Sequence, residues 1–316
     1  MSKPIFEVVV VATMSAGKST VINALIGHEL LHSANEATTA TITRIHDKDD
    51  IMEFYGDAYG YDGKLVDERH ELDAEILRQW NADPKIKTID LVGNIRAIHN
   101  DEAEIVIYDT PGPNNSQNDN HEALTMEVIN DGNFGQILYV LNATQLGVND
   151  DRHLLEQIQK SLAKDKHKEI IFLLNKADML DEEKGEKLSG VVQRAKHYLE
   201  NIGFKEPVIL PTAANYALVV NKVIHSDKLT RSQRANLKES LEYQGNHFIE
   251  NSTLSYEDKA KIAEKLYGDN TPVHLLTWVE VGENYLTTTS RLQRTFLRTG
   301  FGAMQYLLQK KLAKSI

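Results

Sequence analysis

The sequence predicts an α/β fold: a mostly parallel central sheet flanked by helices, with insertions and a C-terminal helical extension. Three observations carry that reading. Short β-branched runs alternate with amphipathic helical stretches up to about residue 212, the pattern of crossover units. A Gly-Lys-Ser triplet follows the first apolar run and opens the first helix. After Thr212 the alternation stops and only helical periods remain.

The elements follow in order. Phe6–Val11 is a β-branched run of the kind buried on both faces of a sheet. Lys18–Ile26 is a helix with Val21, Ile22, Leu25 and Ile26 on one side. Thr38–Ile45 is strand-like, and Glu68–Trp80 reads as a charged amphipathic helix. Ile95–Asp109 reads as a hairpin turning near Asn100-Asp101, with Ile105–Tyr108 in its second strand. Gln136–Asn142, Glu169–Asn175 and Val208–Leu210 are further strands, separated by helices over Asp151–Leu162 and Lys187–Asn201. Asn215–Ile224, Arg231–Glu250, Tyr256–Tyr267 and Val273–Ala313 then read as helices with no strand between them. The expected division is a core over 1–214 with an insertion at 47–94, a helical insertion over 215–272, and C-terminal helices over 273–316 that close the core and begin a neck.

Composition sets bounds. The chain has 316 residues, 35 Lys and Arg against 46 Asp and Glu, and a net charge of −11. That balance argues against direct nucleic-acid binding, which needs clustered cations. Zero Cys excludes disulfides and thiolate chemistry. The start has no secretory pattern and no window spans a bilayer, so the expectation is a cytoplasmic chain, at most peripheral at a membrane.

The chemistry lies in loops at strand ends. Ala12-Thr-Met-Ser-Ala-Gly-Lys-Ser19 stands between the first strand and the first helix, where a phosphate-binding loop turns its N–H groups inward. Ser15, Ala16, Gly17, Lys18, Ser19 and Thr20 are the candidate phosphate contacts, with the Lys on the phosphates and the Ser19 hydroxyl on Mg²⁺. Ala12 replaces the usual first Gly, which a negative φ would permit. Asp109-Thr-Pro-Gly112 ends the fourth apolar run. Its carboxylate can hold Mg²⁺ through water, and the bare N–H of Gly112 can approach a γ-phosphate. Asn175-Lys176-Ala-Asp178 ends another strand. A carboxylate there accepts from guanine N1–H and N2–H₂ and repels adenine, a mismatch worth about 10⁴ to 10⁵-fold in a buried polar site. Thr38-Thr-Ala-Thr41 offers a hydroxyl for Mg²⁺, with Thr39 preferred over Thr38. Thr212-Ala213-Ala214 offers backbone N–H groups to the base. Four such elements in one order point to GTP with Mg²⁺.

The stretch Met14–Gly27, with Thr38–Thr41, Asp109–Asn114, Asn175–Asp178, Thr144-Gln145 and the late Gly300–Leu307 pattern, resembles the dynamin superfamily. It is most similar to bacterial dynamin-like members of the clamp-binding, sister-chromosome-colocalising group. The resemblance implies an enlarged G domain that hydrolyses GTP to GDP, with Mg²⁺ held by Ser19, Thr39 and Asp109. It implies a homodimer formed across the nucleotide face, and membrane association through parts outside this chain. Ser15, Lys18 and Thr39 would serve catalysis, Ser15 often with a monovalent cation. Eukaryotic dynamins have Gln where this chain has Met14, and the clamp-binding partner motif has no counterpart here.

The residues add a physical point. Small switch GTPases orient water with a Gln after Asp-x-x-Gly, and here Pro113 stands there. Catalysis would then rest on Thr39, Ser15 and a partner. The competing readings are a GTP-regulated scaffold with little turnover, and a translation- or tRNA-associated GTPase, which the acidic charge disfavours. Asp47-Lys-Asp-Asp50 reads as a solvated face, and His28, His32 and His121 as surface polar residues. Phe296, Leu297, Phe301, Met304, Leu307, Leu308 and Leu312 form an apolar stripe, read as a core or neck helix before a membrane-surface one. The length accommodates GTP chemistry but no dynamin stalk, so a fragment or a stand-alone GTPase is expected.

Overall fold

The computed structural model describes residues 3–12, 15–32, 41–51, 53–69, 71–98, 103–112, 119–132, 134–147, 149–165, 167–243, 247–267, 278–280 and 286–315. One nine-stranded sheet organises them. Its strands are β1 (Ile5–Ala12), β2 (Ile42–Asp47), β3 (Tyr55–Gly60), β4 (Leu65–Arg69), β5 (Ile86–Gly93), β6 (Glu104–Asp109), β7 (Gln136–Asn142), β8 (Glu169–Asn175) and β9 (Val208–Pro211). They lie in the order β4-β3-β5-β2-β6-β1-β7-β8-β9. The β6-β1-β7-β8-β9 half is parallel throughout, and β2 runs antiparallel to β6.

The β-branched run of β1 is buried on both faces. Val8 and Val10 pack with α1 (Lys18–Ile26), α6 (Ala214–Ile224) and the C-terminal helices α10 (Thr289–Phe296) and α11 (Gly302–Ser315). Val9 and Val11 pack with α3 (Asp119–Asp131), α4 (Asn149–Leu162) and α5 (Leu188–Ile202) on the other face. The remaining helices are α2 (Ala74–Ala82), α7 (Arg231–Glu242), α8 (His247–Asn251) and α9 (Tyr256–Tyr267).

Several expectations change. The helix expected from Glu68 starts after Asp73, whose carboxylate accepts the Glu75 and Ile76 N–H groups at 2.9 Å, while Leu65–Arg69 is the edge strand β4. Among the described residues no hairpin spans 95 to 109: β6 pairs with β1 and β2, and the preceding strand is Ile86–Gly93, seated between β2 and β3. Residues 47–94 thus extend the same sheet through β3, β4 and β5. The expected boundary at 214/215 falls inside α6, which begins at Ala214 and is packed into the main core. The region read as purely helical after 273 contains a two-stranded antiparallel pair, β10 (Trp278–Glu280) with β11 (Leu286–Thr288).

Asp47 is buried rather than solvated; its carboxylate accepts the Ile95 N–H at 2.7 Å and closes the turn after β5. The C-terminal stripe is core: Phe296, Phe301, Met304, Leu308 and Leu312 are buried, with Leu297 and Leu307 packed against them. The membrane-surface reading of that stripe therefore fails, because the chain covers it with its own residues. No helix among the described residues is long and apolar enough to cross a membrane.

Candidate functional site

The site lies at the carboxyl ends of β1, β6, β8 and β9. Parallel pairing sets Val10 of β1 beside Asp109 of β6. It also sets Leu174 of β8 beside Pro211 of β9. Ala12, in place of the usual first Gly, completes β1 without a positive φ, so its methyl is accommodated. After it the loop curls through two left-handed residues, Ser15 at φ 60° and Gly17 at φ 93°. Such alternation turns successive N–H groups onto one concave side and suits an anion. No side chain caps α1 at Gly17. The first-turn N–H groups of a helix have no partner within the helix itself, which suits this end of α1 to an anion.

Gly17 is also demanded by space: a Cβ there would lie 2.5 Å from Asn175 Nδ2. That closeness reflects a brace. Asn175 Nδ2 donates to the Ala16 carbonyl at 2.9 Å, and Asn175 Oδ1 accepts the Ala214 N–H at 3.0 Å. Its backbone carbonyl accepts the Ala143 N–H at 2.8 Å, beside the turn in which Asn142 Oδ1 accepts from Thr144. One buried Asn therefore joins the loop after β1, the turn after β7 and the segment after β9.

Lys18 Nζ and Asp109 Oδ1 form an ion pair, both largely shielded from solvent. The cation expected on phosphates and the carboxylate expected near Mg²⁺ are therefore adjacent. Ser19 and Thr20 occupy the first turn of α1, partly exposed. Gly112 lies on the strand-end loop, where a Cβ would meet nothing within 4 Å among the described residues. Thr110 Oγ1 donates to the Val10 carbonyl at 2.9 Å and roots this loop on β1. Thr38, Thr39, Met14 and Pro113 lie outside the described residues.

Lys176 adopts φ 64° and caps the short turn Ala177–Met179 that carries Asp178. Burial pushes the Asp178 carboxyl above the ordinary aspartate range, against its own backbone N–H and the Lys176 charge, which pull it down. Tyr216 of α6 stands near it. Burial first, then the Asp178 and Glu239 carboxylates, push its phenol to about 12, and its hydroxyl lies 3.4 Å from Glu239. A cleft of about 510 Å³ opens beside Asp178, lined also by Lys187, Ser189, Tyr243, His247 and Asn251.

The Thr212-Ala213-Ala214 segment departs from expectation. Its three N–H groups are all engaged, with the carbonyls of Leu174 (3.0 Å) and Thr299 (2.9 Å) and with Asn175 Oδ1. In this arrangement the segment seats Asn175 and the C-terminal helix rather than presenting N–H groups to a base. His121, expected at the surface, is buried, with Nδ1 3.0 Å from the Gly112 carbonyl. Thr125 and Tyr216 carry no motif and spacing does not single them out, while Thr110 lies inside Asp109-Thr-Pro-Gly112 without a role assigned from sequence. His28 and His32 are exposed as expected, His28 against Asp227 at 2.7 Å.

A curled loop opening a helix at Gly17, a Lys–Asp pair at its mouth and the Asn175 brace beside it define the class: a P-loop GTPase domain. The model of the dynamin family matches residues 8–177, more than half of the chain, and the chain belongs to that family. No curated protein matches. Two solved structures of an oligomerised bacterial dynamin pair, described as providing a mechanism for long-range sensing and tethering of membranes, are similar to it. One is 16% identical with a TM-score of 0.50, over 83% of this chain and 44% of that one. The other is 18% identical with a TM-score of 0.49, over 98% of this chain and 43% of that one. The chain thus spans less than half the length of either. The first likeness agrees with the fold; neither comparison reaches the clamp-binding group.

Proposed function

We propose that this chain binds GTP with Mg²⁺, hydrolyses it to GDP and phosphate, and is activated by dimerising across its nucleotide face. The observation that carries the reading is the convergence of Gly17-Lys18, Asp109 and Asn175 at adjacent strand ends of one sheet. Gly17 leaves the room that the Asn175 side chain occupies, and Asn175 ties the loop after β1 to the strand end that leads to Asp178. Lys18 would hold phosphates once Asp109 is released to the shell of the metal. Ser19, Thr39 and Asp109 would hold the Mg²⁺, whose chemistry is to neutralise charge building on the phosphates. Lys176 would lie against the base and Asp178 would read its edge. Residues 47–94 extend the G domain sheet, and the C-terminal helices close it.

The bacterial dynamin pair tethers membranes, and a membrane role for this protein would be exercised outside the site itself. Flotation of the full protein with anionic vesicles tests it. The nucleotide reading has a sharper test, isothermal titration with GTP and GDP plus phosphate release. Lys18→Ala should abolish measurable turnover and weaken binding at least tenfold, since a charge-assisted contact is worth about 1.5–3 kcal/mol. Asp178→Asn should shift preference toward xanthine nucleotides, whose 2-oxo group suits an amide donor. A wild-type chain that binds no guanine nucleotide would sink the reading.

A further inference from the structure

Two side chains of α3 hold the peptide planes on either side of Gly112. Thr125 Oγ1 donates to the Pro111 carbonyl at 3.1 Å. His121 Nδ1 stands 3.0 Å from the Gly112 carbonyl. Four residues apart, they share one face of the helix. Both are buried, at 0% and 3% exposure, so neither contact competes with bulk water. A carbonyl only accepts, which assigns the proton to Nδ1. Among the described residues, Nε2 of that ring has no hydrogen-bond partner. Among the described residues, the ring's polar atoms are anchored by its bond to Gly112.

The peptide linking Pro111 to Gly112 is planar and trans, so its N–H points opposite to its carbonyl. With the Pro111 carbonyl fixed on Thr125, the Gly112 N–H must point away from α3. Thr110 holds the base of the same loop on the Val10 carbonyl. Among the described residues, a Cβ at Gly112 would meet nothing within 4 Å. The N–H of Gly112 is therefore aimed away from α3 by side chains that hold the peptide from behind.

We propose that Thr125 and His121 are positioning residues that preset the Gly112 N–H for a terminal phosphate, making α3 the element that tells a nucleoside triphosphate from a diphosphate. This rests on the reading of the site as a GTP site and adds to it the source of its triphosphate discrimination. A diphosphate leaves the Gly112 N–H unused, so the two residues should matter for one ligand and not the other.

The test measures affinities of the full chain for GDP and for a non-hydrolysable GTP analogue, both with Mg²⁺, and the kcat and KM of GTP turnover. Thr125→Val keeps volume but removes the donor. It should weaken the analogue about tenfold, the worth of one misaligned hydrogen bond to a charged group, and leave GDP within about twofold. Thr125→Ser should restore the ratio. His121→Asn keeps a donor near the Nδ1 position and should retain most of the discrimination, whereas His121→Leu should lose it. Should Thr125→Val not fold, the Asn and Leu variants at 121 decide alone. Equal losses for both nucleotides would mark a merely structural role and overturn the proposal, as would an unchanged ratio in both Thr125→Val and His121→Leu. Failure of the wild-type chain to bind either nucleotide would overturn the GTP reading instead.

Discussion

Asn175 makes two side-chain hydrogen bonds that an aliphatic residue cannot replace, one from its amide nitrogen and one to its amide oxygen. Both partners are backbone groups in buried surroundings. Asn175→Ala would leave the Ala16 carbonyl and the Ala214 N–H unsatisfied, each at about 1–3 kcal/mol. The expected loss is about 2–4 kcal/mol in denaturant unfolding, with nucleotide affinity falling as well because the brace sets the cradle. Asn175→Asp should do no better on the loop side, since a carboxylate aimed at the Ala16 carbonyl has no proton to give. A variant as stable as wild type would show that the two loops hold their shape independently. Asp178 shows the opposite logic. It is functional by hypothesis and uncomfortable by burial, while Asn175 is comfortable and structural.

At the scale of elements, the junction between α10 and α11 is the instructive case. The helical stripe of residues 296–312 reads as one long helix, yet Gly300 breaks it at φ 90° in the wide turn Leu297–Phe301. A Cβ there would be driven into the Pro211 carbonyl and within 2.9 Å of the Thr212 side chain. The break allows Thr299 to offer its carbonyl to the Ala213 N–H. The C-terminal helix is therefore fastened to the segment that also holds Asn175. Gly300→Ala combines a left-handed backbone with a backbone collision, and should cost at least about 2 kcal/mol. Because the displaced partner is the 211–213 segment, guanine-nucleotide affinity should fall along with stability. Calorimetric unfolding of the free and nucleotide-bound chain measures both, and a loss of stability with unaltered affinity would separate the helix from the site. Sequence periodicity showed which face of this helix is apolar. It could not show that a single Gly bends the helix onto a loop ninety residues earlier.

Across the whole molecule, legibility follows how local the physics is. The cradle, the strand-end Asp109 and the Asn175–Asp178 turn are written as short strings because phosphate and base chemistry dictate residue types at fixed spacing. Asp47, His121 and the strands β3 and β4 differ from the sequence reading because their surroundings come from chain beyond their own element. Asp47 meets Ile95, His121 meets Gly112, and β3 owes its place to β5. The same distinction bears on catalysis. Pro113 occupies the position where small switch GTPases place a water-orienting Gln, and its ring has no hydrogen-bonding group to offer. Ser15 stands exposed at the lip of the cradle, with φ at 60°. A second copy facing that lip would shield the phosphates and could add a charge or dipole in trans. Such help in trans is worth about 10³ to 10⁵ in rate among related enzymes. Turnover per site should therefore be slow in dilute solution and climb with protein concentration. The mass measured by light scattering should double with GDP and a transition-state mimic, but not with GDP alone. Flat turnover across a wide dilution series, with a monomer in every nucleotide state, would mean that the catalytic group lies within the single chain.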